Sequence, residues 1–228
     1  VLLLLRQRFW TEGDIKVVVV LRNQATRLAS GYAQGTNCRF NPGQADFERT
    51  VEQRLRSRRY LCLFDYTRWV AGLESVVGPE NLCVLILEES RTIEFWQQLA
   101  DFCRLERFEP ETMMSSETGK KNVRSRSANY WSISEFDPAF RAKVMVDKWL
   151  NALWPNNLQP EQRDRLRLQA IEQLKARYLR KYKKVSNGER ETEFHLSPQV
   201  METTRARCGP FNEKLAQQLG RDLEPLGY

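Results

Sequence analysis

The chain has 228 residues, 41% hydrophobic and 11% aromatic, with a formal charge of +7 and a pI near 9.3. That supplies one sizeable α/β domain or two small ones and excludes a disordered tract. No apolar run, neither Val1–Leu5, Val17–Leu21 nor the six-residue Leu82–Leu87, is long enough to cross a bilayer.

Val1–Trp10 is apolar and then basic, as at the end of a helix, and Thr11–Asp14 reads as a turn. Ile15–Leu21 is almost continuously β-branched, which predicts a strand buried on both faces of a parallel sheet. Arg22-Asn23-Gln24 follows at once, and a helical stretch runs to about Tyr32. Gly35–Gly43 is a loop, Gln44–Arg58 a polar helix, and Tyr60–Val76 a more apolar helix broken by Gly78-Pro79. Asn81–Leu87 predicts a second buried strand, and Thr92–Arg104 an amphipathic helix with Phe95, Leu99 and Phe102 on one face. Strand, helix, helix, strand, helix is the order of βα units in a parallel sheet. Such sheets bind ligands at the carboxyl ends of their strands.

Glu111–Ser134 is polar and has no clear periodicity. Phe140–Leu153 and Gln159–Lys184 read as helices, the second with nine basic residues from Arg163 to Lys184. Ser186–Glu193 is a polar loop. Ser197-Pro198 opens a helix by the N-cap and N1 rule. Gly209-Pro210 is expected to interrupt it, leaving Phe211–Leu219 as a short closing helix capped by Gly220.

The basic balance suits an anionic partner: nucleotide, nucleic acid, acidic polysaccharide or membrane surface. Simple solubility is the plainer explanation. The five cysteines form no C-x-x-C pair and His195 is the single histidine, a poor set for zinc. Cys83 reads as a core residue. Cys38 and Cys208 are open to pairing in an oxidising compartment. No N-x-[ST] glycosylation acceptor occurs.

The informative segment is Lys16–Tyr32. A strand delivers Arg22 to the carboxyl edge of the sheet, a helix starts there, and Ser30 follows eight residues on. A guanidinium forms bidentate bonds with phosphate oxygens, and a hydroxyl adds one from the side. The plain alternative is an arginine capping a strand end and a serine on a helix surface.

This segment resembles the 3′-phosphate-binding motif of sulfotransferases, R-[ND]-P-x-x-R-x-x-S-x-Y, through Arg22, Asn23, Arg27, Ser30 and Tyr32. Gln24 stands where that motif has proline. Trp69–Glu89 is similar to the family's helix-into-strand segment. Cys208–Asp222 resembles the closing Y-x-P-[FY]-N-x-x-L-x-x-x-L-G segment of carbohydrate sulfotransferases, with Cys208 in the place of tyrosine. The likeness is to Golgi membrane-type enzymes and their bacterial relatives, which fits either a Golgi lumen or a bacterial cytoplasm. The resemblance implies a P-loop-like parallel sheet flanked by helices. It implies binding of 3′-phosphoadenosine 5′-phosphosulfate (PAPS) and transfer of its sulfuryl group to an acceptor hydroxyl, on a carbohydrate, without metal. In the family, the matching arginine and serine contact the donor's 3′-phosphate, which implies Arg22 and Ser30 here.

Lys120, Lys121, Arg124 and Arg126 lie within a basic, glycine-containing stretch. It resembles the family loop that closes over the same phosphate; a solvated basic loop is the alternative. The family's 5′-phosphosulfate loop has no counterpart, because Thr118–Lys121 follows no strand. The chain opens at Val1, so residues 1–228 are expected to be a single sulfotransferase domain whose phosphate loop lies upstream. No catalytic base is assigned, and His195 reads as an ordinary, partly exposed histidine. Arg163–Lys184 offers either a cationic surface for a sulfated or carboxylated glycan or a solvated helix face. Nucleic acid is not expected, since its basic positions lack regular aromatic interleaving. A non-catalytic anion- or glycan-binding module derived from a sulfotransferase domain is the competing reading. A P-loop kinase relative would need a Walker motif, and none is present.

Overall fold

The computed structural model describes residues 15–106, 108–109, 111–112, 125–127, 129–153, 159–185 and 191–228. The fold is α/β, mostly helical with two small sheets. The chain divides into two compact units, the first comprising Val1–Leu28, Val51–Val123 and Ser197–Tyr228, the second Ala29–Thr50 and Arg124–Leu196.

In the first unit, strand β1 (Val17–Leu21) pairs in parallel with β2 (Leu82–Ile86), in the register Val17↔Leu82 to Leu21↔Ile86. Helix α1 (Gln24–Gln34) follows β1 after two residues, and α2 (Gln44–Arg56) and the single turn α3 (Arg58–Leu61) come next. The apolar stretch predicted as one helix from Tyr60 is divided. A 3₁₀ turn at Cys62–Phe64 ends before Asp65, whose carboxylate accepts from the Arg68 amide at 3.2 Å and starts α4 (Tyr66–Val77) afresh. An N-cap aspartate supplies the acceptor that a continuing helix would not need. Gly78, at φ 87°, ends α4 in a conformation that a side chain would strain. Helix α5 (Ile93–Cys103) begins at Thr92, whose side chain accepts from the Phe95 amide.

One face of this sheet packs into a core of Leu21, Tyr66, Val70, Ile86, Leu215, Leu223 and Tyr228. The other face of β2 buries Cys83 and Leu85 against Phe95. The expectation of a β1 buried on both faces is corrected here: Val18 and Val20 are 36% and 49% exposed. Among the described residues β1 pairs only with β2, so the side chains that share a face with Cys83 and Leu85 lack the cover that α5 gives to β2.

In the second unit, β3 (Ser125–Ser127), β4 (Tyr130–Ser132) and β5 (Glu193–His195) form an antiparallel sheet. It is centred on an aromatic cluster: Phe194 lies 4.8 Å from Tyr32 and 4.5 Å from Phe47 by ring centroids, and stacks on Trp131 at 5.9 Å. Helices α6 (Pro138–Leu153) and α7 (Pro160–Val185) pack against one another and are joined by the Asp147–Arg167 pair at 2.7 Å.

Helix α8 (Pro198–Leu219) returns to the first unit. It starts as the sequence predicts, with Ser197 accepting from the Val200 amide and proline at the first position, and it ends at Gly220. It is not interrupted at Gly209-Pro210. The buried stripe Val200, Thr204, Cys208, Asn212, Leu215 runs straight through, while Pro210 faces solvent. Burial of that stripe outweighs the hydrogen bond that proline removes. All five cysteines are free thiols, so the pairing considered for Cys38 and Cys208 is not formed.

Candidate functional site

The parallel register decides which residues meet at the carboxyl end of the sheet. Leu21 stands beside Ile86, so Arg22 and Asn23 leave β1 where Leu87 and Glu88 leave β2. Asn23 is the N-cap of α1: its side-chain oxygen accepts from the amides of Ala25 at 2.9 Å and Thr26 at 3.2 Å. Its own backbone amide donates to Glu88 Oε1 at 3.0 Å, and its side-chain amide donates to the carbonyl of Gly227. Glu88 Oε2 accepts from the Tyr228 hydroxyl at 3.3 Å. One carboxylate thus ties the end of β2 to the start of α1 and to Tyr228.

Arg22 is held by its backbone and left open at its tip. The Tyr66 hydroxyl donates to the Arg22 carbonyl at 2.7 Å, and Arg22 Nε donates to Thr26 Oγ1 at 3.1 Å. Among the described residues no carboxylate pairs with this guanidinium. Its two terminal nitrogens are therefore donors with a fixed stem, the condition a guanidinium needs to fork onto a phosphate.

Arg27, the second arginine of the motif, does something different. Its guanidinium donates to the Leu63 carbonyl at 2.9 Å and to the Tyr66 hydroxyl at 3.2 Å, and lies 5.4 Å from the Phe64 ring centroid. It braces the start of α4. The same tyrosine links both arginines, and burial raises its hydroxyl pKa above the ordinary value, against the lowering effect of Arg27. Arg221 engages both oxygens of Glu89 at 2.9 and 3.0 Å, so the neighbouring carboxylate is neutralised within the unit.

Gln24 is the departure from the motif, and it has a partner. It is buried, and its amide exchanges two hydrogen bonds with Asn212 of α8, at 2.5 and 3.3 Å. Asn212 belongs to the closing segment quoted above, so two stretches recognised separately in the sequence touch side chain to side chain.

Ser30 lies on α1, half-buried, in the second unit. Tyr32, two residues on, is buried; its hydroxyl donates to Asp46 at 2.8 Å and accepts from the Gly43 amide at 3.0 Å. It is a structural residue whose hydroxyl pKa is pushed up, chiefly by burial. Lys120, Lys121 and Arg124 lie outside the described residues, and Arg126 falls in β3. His195 lies on β5, its backbone exchanging two hydrogen bonds with the Gln44 side chain and its ring 5.5 Å from Tyr130.

Glu88, Thr26, Tyr66 and Tyr228 form the frame of this edge; the 3′-phosphate motif names none of them, though Glu88 lies at the end of the helix-into-strand segment Trp69–Glu89. Glu88 had a signal: it directly follows a buried strand, as Arg22 does. Tyr228 had none, because its role depends on the tertiary fold.

No family model, no curated protein and no solved structure matches the chain.

Proposed function

We propose that the chain is a sulfotransferase domain that binds PAPS and moves its sulfuryl group to an acceptor hydroxyl on a carbohydrate. In this reading β1 and β2 are two strands of a P-loop-like parallel sheet. Arg22, with Ser30 further along α1, grips the 3′-phosphate of the donor. Lys120, Lys121, Arg124 and Arg126 close over the same phosphate, and no metal takes part. The observation that carries the reading is the Arg22 guanidinium, fixed at the carboxyl end of a parallel strand and unpaired with any described carboxylate.

The chemistry is in-line displacement at sulfur. The acceptor oxygen bonds to sulfur as the bond from sulfur to the phosphate oxygen breaks. 3′-Phosphoadenosine 5′-phosphate leaves, and the hydroxyl proton passes to a general base. Positioning and charge stabilisation carry most of such a transfer. The part assigned to this chain is anchoring the nucleotide at a point remote from the sulfur, so that binding energy fixes the reacting group in line.

Titration with 3′-phosphoadenosine 5′-phosphate should raise the melting temperature with the logarithm of ligand concentration over its Kd. Arg22→Ala should weaken that binding by about 1.5–3 kcal/mol, the range for a hydrogen bond to a charged group, or roughly ten- to 150-fold. Equal affinity in wild type and variant ends the assignment. Nucleotide binding without sulfation of any glycan hydroxyl by the full-length protein would instead identify a non-catalytic module.

A further inference from the structure

Thr26 stands beside the Arg22 guanidinium in the first turn of α1, and its hydroxyl has a defined direction. Arg22 Nε donates to Thr26 Oγ1 at 3.1 Å. The hydroxyl's other two neighbours are acceptors, the Asn23 carbonyl at 2.9 Å and Glu88 Oε1 at 3.4 Å. A hydroxyl carries one proton and two lone pairs. The proton therefore points to the carbonyl or the carboxylate, and a lone pair faces Arg22. Asn23 and Glu88 are themselves tied together, because the Asn23 backbone amide donates to the same Glu88 oxygen at 3.0 Å.

This decides which edge of the guanidinium is free. A guanidinium can fork onto a phosphate side-on, through Nε and one Nη, or end-on, through both Nη atoms. Nε carries a single hydrogen, and Thr26 takes it. Glu88 lies beyond Thr26 and forms no ion pair with Arg22, and the Nη atoms have no partner among the described residues. A side chain as long as arginine loses rotamer freedom when it binds. Thr26 removes part of that freedom before a ligand arrives.

We infer that Thr26 is a positioning residue: by taking the Nε hydrogen it leaves Arg22 to grip a phosphate end-on, through both Nη atoms. That this phosphate is the 3′-phosphate of PAPS rests on the donor reading.

The test is calorimetric titration of the full chain with 3′-phosphoadenosine 5′-phosphate and with adenosine 5′-phosphate, which lacks the phosphate in question. Thr26→Val keeps the shape of the side chain and removes the acceptor; Thr26→Ser keeps the acceptor. Thr26→Val should weaken 3′-phosphoadenosine 5′-phosphate about fivefold, the size of one ordinary hydrogen bond. Thr26→Ser should bind it as wild type does, and adenosine 5′-phosphate should not distinguish the three proteins. In an Arg22→Ala background Thr26→Val should change affinity no further, since Thr26 acts through Arg22. Side-chain NMR of the wild type needs no variant of Thr26 to fold. On titration the Arg22 Nη signals should move, while the Nε signal, assigned by its loss in Arg22→Ala, keeps its slow exchange with water. Wild type that does not bind 3′-phosphoadenosine 5′-phosphate overturns the donor reading and the role of Thr26 together. Binding that is equal in wild type and Thr26→Val, that falls for both nucleotides alike, or that engages Nε overturns the role of Thr26 alone and leaves the donor reading standing.

Discussion

Gln24 and Asn212 stand 188 positions apart and satisfy each other in the interior. Removing one amide strands the other, and a buried donor or acceptor without a partner costs about 1–3 kcal/mol. Gln24→Ala and Asn212→Ala should each lower stability by that amount in urea. The double variant should lose much less than the sum, the mark of two residues acting as a pair. Neither residue advertised the other: a polar side chain in a first helical turn ordinarily faces water. Arg22 was legible because its place at a strand end follows from a β-branched run and an abrupt change of character. Its support was not, since Tyr66 and Thr26 become its partners only when α4 and α1 pack around β1.

At the scale of elements, α8 shows where local preference yields. Pro210 occupies an exposed position in a helix whose opposite face buries Cys208, Asn212 and Leu215. Pro210→Ala restores an amide donor and should stabilise the protein by up to about 3 kcal/mol, offset in part by the freer unfolded chain; chemical denaturation measures the balance. A fall in stability would mean that the proline fixes a bend the packing requires. Strands β3, β4 and β5 went unread for a different reason. At three residues each they are too short to display a two-residue period. They owe their place to the aromatic cluster around Phe194. The long helices α6 and α7 were read within about two residues of their ends, because length lets periodicity accumulate.

For the molecule as a whole, burial sets the response to alkali. The Cys208 thiol is pushed up to about 12 by burial, and burial likewise raises Cys83, Tyr32, Tyr66 and Tyr228. Between each group's ordinary value and its native one, the unfolded chain has released a proton that the native state keeps, so stability falls as pH rises. Stability should be intact below about pH 9 and then decline, the thiols contributing from about pH 9 and the tyrosines from about pH 10, each by at most about 1.4 kcal/mol per pH unit; melting curves from pH 8 to 11 check it. A flat profile would show that these side chains are wetter than the fold implies. The α/β class was legible from the alternation of runs in the first hundred positions. The second unit was not, since its pieces come from separate parts of the chain and no local pattern announces that they belong together.

The open flank of β1 has a practical consequence. Its outer edge has no described pairing partner, and one of its faces carries the part-exposed Val18 and Val20. The backbone amides and carbonyls along such an edge are a template for adding another chain. Concentrated samples should therefore self-associate through this ribbon, with light scattering rising steeply with protein concentration. Val20→Lys should suppress that association while leaving nucleotide titration unaltered.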